Sequence, residues 1–104
     1  MTSTRYEDGA DGRLIRLEGE LDHDGVEEIA AAFKEAVGGG PNDVIVDMGA
    51  VSFVSSQGIW MILRTHKQLA SSGRTMHVRN LRPHVYRVFD TVGVFKAVPE
   101  WRDP

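Results

Sequence analysis

The chain has 104 residues, of which 41% are hydrophobic and 26% charged, with a net charge of −3 and no cysteine. This length suits one domain spanning residues 1–104, the acidic balance argues against nucleic acid as a partner, and the lack of cysteine excludes disulfides and thiolate metal sites. No N-terminal signal peptide or stretch of ~20 apolar residues is present, so we expect a soluble, cytoplasmic protein that does not associate with membranes.

The chain begins with two predicted strands. Asp-Gly pairs within Glu7–Gly12 favour positive φ, and they predict a turn between a first strand and a second one. In the second strand, over residues 13–21, apolar or small residues recur with the period of two that a half-buried strand shows: Ile15, Leu17, Gly19 and Leu21.

A helix is predicted next. Asp24 precedes Glu27 by three residues, which resembles a capping box at a helix N-terminus. Apolar residues then follow at the spacing of one helical face: Val26, Ile29, Ala30, Phe33 and Val37. Glycines 38–40 and Pro41 predict the end of this helix.

The second half of the chain alternates strands with helices. Val44–Val46 is a β-branched run typical of a strand buried on both faces. A second helix begins near Ser56 and ends at Gly73, with a predicted apolar face of Ile59, Ile62, Leu63, His66, Leu69 and Ala70. The remaining predicted elements are a strand over Thr75–Arg79, a helix from Pro83 to Gly93, and a last strand over Val94–Val98.

This order predicts an α/β fold. Strands that alternate with helices form right-handed crossovers in a largely parallel sheet. The first strand is joined to the second by a tight turn, so we expect it to lie antiparallel at an edge of the sheet.

The serines at the predicted strand-to-helix junction raise the question of catalysis. A serine at such a junction resembles the G-x-S-x-G nucleophile elbow, but Val54 occupies the position of the first glycine, whose small size the strained turn requires. No combination of acid, base and nucleophile is recognisable, so we expect no catalytic residues and no enzyme activity.

Metal and cofactor sites are not predicted either. The four histidines lie on different elements, and no two have the i, i+4 spacing of a helical zinc site. The acidic segment Asp22–Asp24 has two interpretations, a hard-cation site or capping of the following helix, and capping accounts for it without a metal.

A surface centred on Ser56 is predicted on the second helix. Trp60, Arg64 and Lys67 fall on the same side as Ser56, away from the apolar face. Trp60 either belongs to an interface, where Trp and Arg dominate binding energy, or packs under a neighbouring loop. The Ser56 hydroxyl is expected to cap the helix, and this does not exclude that it accepts a phosphate. A helix N-terminus tolerates a phosphate, whereas an apolar interface does not.

Three segments carry a resemblance to a known family: GELDHDGVEEI (19–29), VIVDMGAVSFVSSQGI (44–59) and VYRVFDTVGVFKAV (85–98). In this order and spacing the chain resembles a single STAS domain of the bacterial anti-sigma factor antagonist family. The resemblance implies a small, mixed, mostly parallel sheet with helices packed mainly on one face. It also implies partner switching, in which the antagonist binds an anti-sigma factor serine kinase, frees the sigma factor, and is switched off by serine phosphorylation that a serine phosphatase reverses.

The resemblance also assigns the site. By position, the phospho-acceptor is Ser56, with Ser55 as the alternative, because Ser55 replaces the family's usual Asp. Trp60 stands where many members carry Gly. The residues implied in partner binding are Asp22, His23, Asp24, Ser55, Ser56, Gln57, Trp60 and Arg64. The protein is then a monomer or weak dimer, and the alternative function is a non-phosphorylated STAS scaffold or accessory subunit of a signalling assembly or transporter.

Overall fold

A four-stranded mixed sheet and three α-helices make up the fold in a computed structural model that describes residues 1–38 and 42–102. The strands are β1 (Ser3–Gly9), β2 (Gly12–Leu21), β3 (Val44–Val54) and β4 (Met76–Arg79), and the helices are α1 (His23–Gly38), α2 (Ser56–Ser71) and α3 (Pro83–Val92). The strand order is β1-β2-β3-β4, with β1 antiparallel to β2 and the other pairs parallel. The predicted α/β class and the antiparallel edge strand are confirmed.

One hydrophobic core lies between the sheet and the helices. The alternating residues of β2 point into it as predicted, and all three helices contribute side chains to the same core, among them Phe33, Ile62 and Phe89. Each fully buried side chain of this size contributes about 1.5–3 kcal/mol through the hydrophobic effect. Ile45, which is 4% exposed, lies outside this cluster because it points to the opposite face of the sheet. The prediction that the helices pack on one face is confirmed.

Strand β3 is longer than the predicted Val44–Val46, since it continues to Val54. Its pairing with β2 is irregular at two places, between Arg16 and Glu18 and between Gly19 and Glu20. At each place β3 contains one residue more than β2, which is the arrangement of a β-bulge. Each extra residue reverses the in-and-out alternation: Val51, between the bulges, is out of step with Val44, and Val54, after both, is in step again, and all three lie in the core.

The predicted last strand over Val94–Val98 is wrong. Gly93 ends α3 with a φ of 88°, and the chain continues as a 3₁₀-helix over Val94–Lys96. Val94 and Val98 are both buried and four residues apart, and the Val98 N–H donates to the Val94 carbonyl at 2.8 Å, which is a helical spacing. Segment 99–101 pairs with β4 instead, through hydrogen bonds of Val78 with Pro99 and Trp101.

The C-terminal end of α1 is held by Arg74, whose side chain lies in the loop after α2. Its Nε donates to the Asn42 carbonyl at 2.6 Å and its Nη2 to the Val37 carbonyl at 2.9 Å. The residue is only 9% exposed, so the guanidinium satisfies helix-end carbonyls that would otherwise lack donors. Gly39, Gly40 and Pro41, predicted to end this helix, lie outside the described residues.

None of the helices in residues 1–38 and 42–102 combines the length and the apolar character that crossing a lipid bilayer requires.

Candidate functional site

The candidate site forms where β2 and β3 end side by side. Leu21 and Val54 are paired at the ends of the two parallel strands, and the Ser55 N–H donates to the Leu21 carbonyl at 3.0 Å. Gly58 in the first turn of α2 allows this approach, because a Cβ there would lie 2.7 Å from the Leu21 carbonyl oxygen. The fold therefore brings segment 22–24 next to segment 55–57, as the carboxyl ends of parallel strands do in α/β sheets.

The two serines differ in what their hydroxyls contact. Ser55 is the residue before α2, and its hydroxyl lies 3.0 Å from both the Leu21 carbonyl and Gln57 Oε1, either of which can accept its proton. Ser56 is the first residue of the helix and is exposed, and its hydroxyl has no hydrogen-bond partner among the described residues. The capping interpretation of Ser56 is therefore wrong: Ser55 holds the cap position, and even its side chain makes no capping hydrogen bond.

In the segment before α1, Asp22 is the residue that caps the helix. Its Oδ1 accepts from the Gly25 N–H at 2.8 Å, and its carbonyl accepts from the Val26 N–H at 2.9 Å. The predicted cap at Asp24 is wrong, because the helix begins at His23, two residues before the start at Gly25 that this cap implies. Asp22 is thus occupied in the fold, whereas His23 and Asp24 are exposed to solvent.

Gln57, Trp60 and Arg64 extend the site along the exposed side of α2. Trp60 is 62% exposed, so the alternative in which it packs under a neighbouring loop is wrong. It follows Ser56 by four residues, which places the two side chains next to each other on the helix surface. Arg64 lies one further turn along and is exposed as well. Exposed Trp and Arg are the residues that most often dominate interface energies.

Phe53 is a second exposed aromatic residue close to Ser56 in the chain, and it was not predicted from the sequence. It precedes Ser56 by three residues and is 46% exposed, so Ser56 lies between two exposed aromatic residues in the chain. The predicted strand ended at Val46. In a strand that extends to Val54, Phe53 lies next to the core-facing Val54 and therefore points away from the core.

His23, Asp24 and Glu27 bring three possible metal-ligand atoms within 4.8 Å of one another. All three residues are exposed, and His23 Nε2 lies 3.5 Å from Glu27 Oε1 as an i, i+4 pair. An exposed group of this kind is common on helix surfaces, and on its own it does not identify a metal site.

Asp47 fixes the first bulge of β3, upstream of the serines. Burial raises the pKa of this carboxyl, but hydrogen bonds from the Gly49 N–H, Arg79 and Asn80 outweigh burial and hold the pKa below its ordinary value. The Gly49 N–H lies 2.9 Å from Oδ1, and Arg79 Nε and Asn80 Nδ2 each lie 2.9 Å from Oδ2. The ionised carboxylate therefore joins the bulge to the end of β4.

Comparison with known proteins identifies the fold and the family of relatives. The STAS domain family matches residues 3–103 of the chain. Among individual proteins, the anti-sigma F factor antagonist of Paenibacillus polymyxa is 30% identical over 87 residues, which cover 83% of this chain and 74% of that protein.

Solved structures agree with this match. SpoIIAA, an anti-sigma factor antagonist, superposes in its unphosphorylated form with a TM-score of 0.76 and 27% identity, over 97% of this chain and 90% of that one. The Bacillus cell-fate determinant SpoIIAA in its phosphorylated form superposes with a TM-score of 0.69 and 26% identity, over 97% of this chain and 93% of that one. An anti-sigma factor antagonist from Mycobacterium paratuberculosis superposes with a TM-score of 0.86 and 22% identity, over 99% of this chain and 87% of that one. At this identity the likeness supports the fold alone.

Proposed function

The chain belongs to the STAS domain family, and we propose that it is an anti-sigma factor antagonist controlled by phosphorylation of Ser56. In this proposal the unmodified protein binds an anti-sigma factor that is a serine kinase, and the sigma factor is released. Phosphorylation of the antagonist ends the complex, and a serine phosphatase restores the binding form.

The observation that carries the proposal is the free Ser56 hydroxyl at the start of α2. It is exposed and without a partner among the described residues, whereas the hydroxyl of Ser55 is within hydrogen-bond distance of the Leu21 carbonyl. A kinase can therefore reach Ser56 without first breaking a hydrogen bond of the fold. This difference favours Ser56 over Ser55 as the acceptor, although Ser55 stands where the family usually carries Asp.

The chemical step is a phosphoryl transfer from ATP held by the kinase. The Ser56 oxygen forms a bond to the γ-phosphorus, the bond from that phosphorus to the β,γ-bridging oxygen breaks, ADP leaves, and the hydroxyl proton passes to a base of the kinase. The antagonist supplies only the hydroxyl. Its own residues position the acceptor and perform no catalysis.

The fold tolerates the product. The first turn of α2 contains no acidic residue, and its free N–H groups and helix dipole favour an anion by about 0.3–1 kcal/mol. The complex does not tolerate it, because about −1.5 to −2 charges would have to be desolvated beside the Trp60 ring, one helical turn from Ser56. Desolvation of a buried ion costs several kcal/mol, so we expect affinity to fall by at least about a hundredfold.

The test uses a purified anti-sigma factor serine kinase from the same organism, incubated with the antagonist, Mg²⁺ and ATP. Mass spectrometry should locate one phosphate on Ser56. The Ser56→Ala variant should accept none, while the matched Ser55→Ala variant should be modified like the wild type. By calorimetry, Ser56→Asp should bind the kinase far more weakly than the wild type does.

Two results would contradict the proposal. Absence of phosphate from both serines would favour the non-phosphorylated scaffold or accessory-subunit alternative, since kinase recognition would then be missing. Unchanged affinity of Ser56→Asp would refute the switching mechanism even if phosphate were found.

A further inference from the structure

A long groove runs between α1 and α2 on the outer side of the helical layer. It has a volume of about 920 Å³, and its lining extends from His23 to Gly38 on α1 and from Gln57 to Ser72 beside α2. At 1.5 Å per residue, the sixteen residues of α1 make the groove about 24 Å long. The groove is therefore as long as a four-turn helix.

The floor of the groove is apolar. Phe33 and Leu69 form its buried base, and Val26 and Met61 are only partly covered above them. Val26 and Ala30 were expected in the core from their helical spacing, yet Ala30 is exposed in the groove. An apolar surface of this length along two parallel helices is the kind of surface on which an amphipathic helix docks. Met61 adds a flexible side chain that adapts to a partner's shape.

The charge at the mouth of the groove is opposite to that of the whole chain. Lys34 on α1 and Arg64 on α2 line the groove, and neither forms an ion pair within residues 1–38 and 42–102. The carboxylate in the lining, Glu27, is already beside His23. A chain with a net charge of −3 thus presents two unpaired cations on either side of an apolar floor.

We propose that this groove binds an amphipathic helix with an apolar stripe flanked by Asp and Glu, contributed by the anti-sigma factor. A small ligand is the weaker candidate, because such ligands are mostly enclosed, whereas this groove is open along both helices. The apolar stripe of the partner helix covers Val26 and Met61, and its acidic flanks pair with Lys34 and Arg64. This proposal rests on the proposed function only for the identity of the partner.

The groove is continuous with the surface around Ser56. Gln57 and Trp60 belong to both, so a helix lying in the groove ends beside the phospho-acceptor. A phosphate on Ser56 would then face the acidic flanks of the bound helix. Repulsion between like charges adds to the desolvation cost, and it assists dissociation without any change in the groove itself.

The first test measures binding to the purified anti-sigma factor kinase by calorimetry. The Lys34→Glu/Arg64→Glu double variant should bind at least about tenfold more weakly, since two favourable charge pairs become repulsive. The control is Lys96→Glu/Arg87→Glu, which makes the same charge change at exposed positions outside the groove and away from the Ser56 surface, and it should bind like the wild type. Equal weakening by both double variants would overturn the proposal, as would no weakening by the first.

A second test does not depend on the kinase. A sixteen-residue model peptide with Leu at helical spacing and Glu on both flanks is titrated into the ¹⁵N-labelled protein. We expect amide shifts at Val26, Ala30, Met61 and Arg64, and at least tenfold weaker binding of the matched peptide with Lys for Glu. Equal binding of the two peptides, or shifts confined to other surfaces, would refute the groove proposal. If the kinase fails to bind the wild type while the acidic peptide binds the groove, the proposed function fails and the docking site stands.

Discussion

Replacement of Arg74 tests whether a buried cation without a carboxylate partner stabilises this fold. The guanidinium donates to carbonyls of Asn42 and Val37 at 2.6 and 2.9 Å, on both sides of the segment that follows α1. A third carbonyl, that of Gly38, lies 3.5 Å from Nη1 and adds little at that distance. Arg74→Met keeps the length and apolar part of the side chain and removes every donor.

The expected loss follows from these contacts. Hydrogen bonds to charged groups contribute about 1.5–3 kcal/mol each, and a cation at a partly buried helix C-terminus adds up to ~2 kcal/mol. Water can reach part of the vacated site, so we expect a net loss of about 3 kcal/mol out of a total stability of about 5–15 kcal/mol. For a domain of this size, that corresponds to a fall in Tm of about 10–25 °C.

The assay is urea denaturation followed by circular dichroism, supported by thermal scans. Arg74→Lys should lower the free energy of unfolding by about half as much as Arg74→Met does, because an ammonium keeps the charge but not the planar arrangement of donors. Lys67→Met removes an exposed cation after α2's midpoint and should change stability by no more than about 0.5 kcal/mol. If Arg74→Met lowered the free energy of unfolding by less than about 1 kcal/mol, the stabilising role of these hydrogen bonds would be refuted.

Two further predictions concern residues that hold the candidate site in place. The lowered pKa of Asp47 means that the carboxylate stabilises the fold above pH 4 and that this contribution is lost as pH falls below ~4, through the folded-state pKa. Asp47→Asn should therefore lower the free energy of unfolding by about 1–2 kcal/mol at pH 7, and it should reduce the difference in that free energy between pH 7 and pH 3. If urea denaturation gave the same difference for the variant and the wild type, the role assigned to Asp47 would be contradicted. Gly58→Ala should destabilise by about 2 kcal/mol despite alanine's higher helix propensity, because its Cβ would lie 2.7 Å from the Leu21 carbonyl oxygen. Gly38→Ala is the matched control, since a Cβ there meets nothing within 4 Å, and equal stability of the two variants would be evidence against the close approach at Gly58.

Most of the fold could be predicted because its periodic segments are long. The period of two in β2 and the helical spacing in α1 and α2 each extend over several residues, and both signals agree with the structure. Val94–Val98 is too short for such a test. Five residues with an apolar residue at each end fit a strand or a helical turn, and the left-handed Gly93 decides in favour of the turn.

The candidate site could be predicted only in part. The spacing of Ser56, Trp60 and Arg64 on one side of α2 follows from helical geometry alone, and these residues are exposed as expected. Phe53 was not predicted, because the β-branched run that marks the strand ends at Val46 and the later residues of β3 show no regular alternation of burial. The groove was missed for another reason: Val26 and Ala30 fit a buried face, and only the separation between α1 and α2 leaves them accessible.

The strand that leads to Ser56 is supported on both edges, and this bears on how the proposed switch works. β4 pairs with β3 only as far as Asp47, so within residues 1–38 and 42–102 no strand lies beside the next part of β3 on that side. Side chains from the start of α3 take its place, because Arg82 Nε donates to the Gly49 carbonyl at 3.0 Å and His84 Nε2 to that of Ser52. On the opposite edge β2 pairs with β3 up to Val54. With both edges held, the proposed phosphorylation of Ser56 would change the charge of a fixed surface and would require no movement of the sheet. Amide shifts confined to the first turns of α1 and α2 would support this prediction, and widespread shifts through β3 would contradict it.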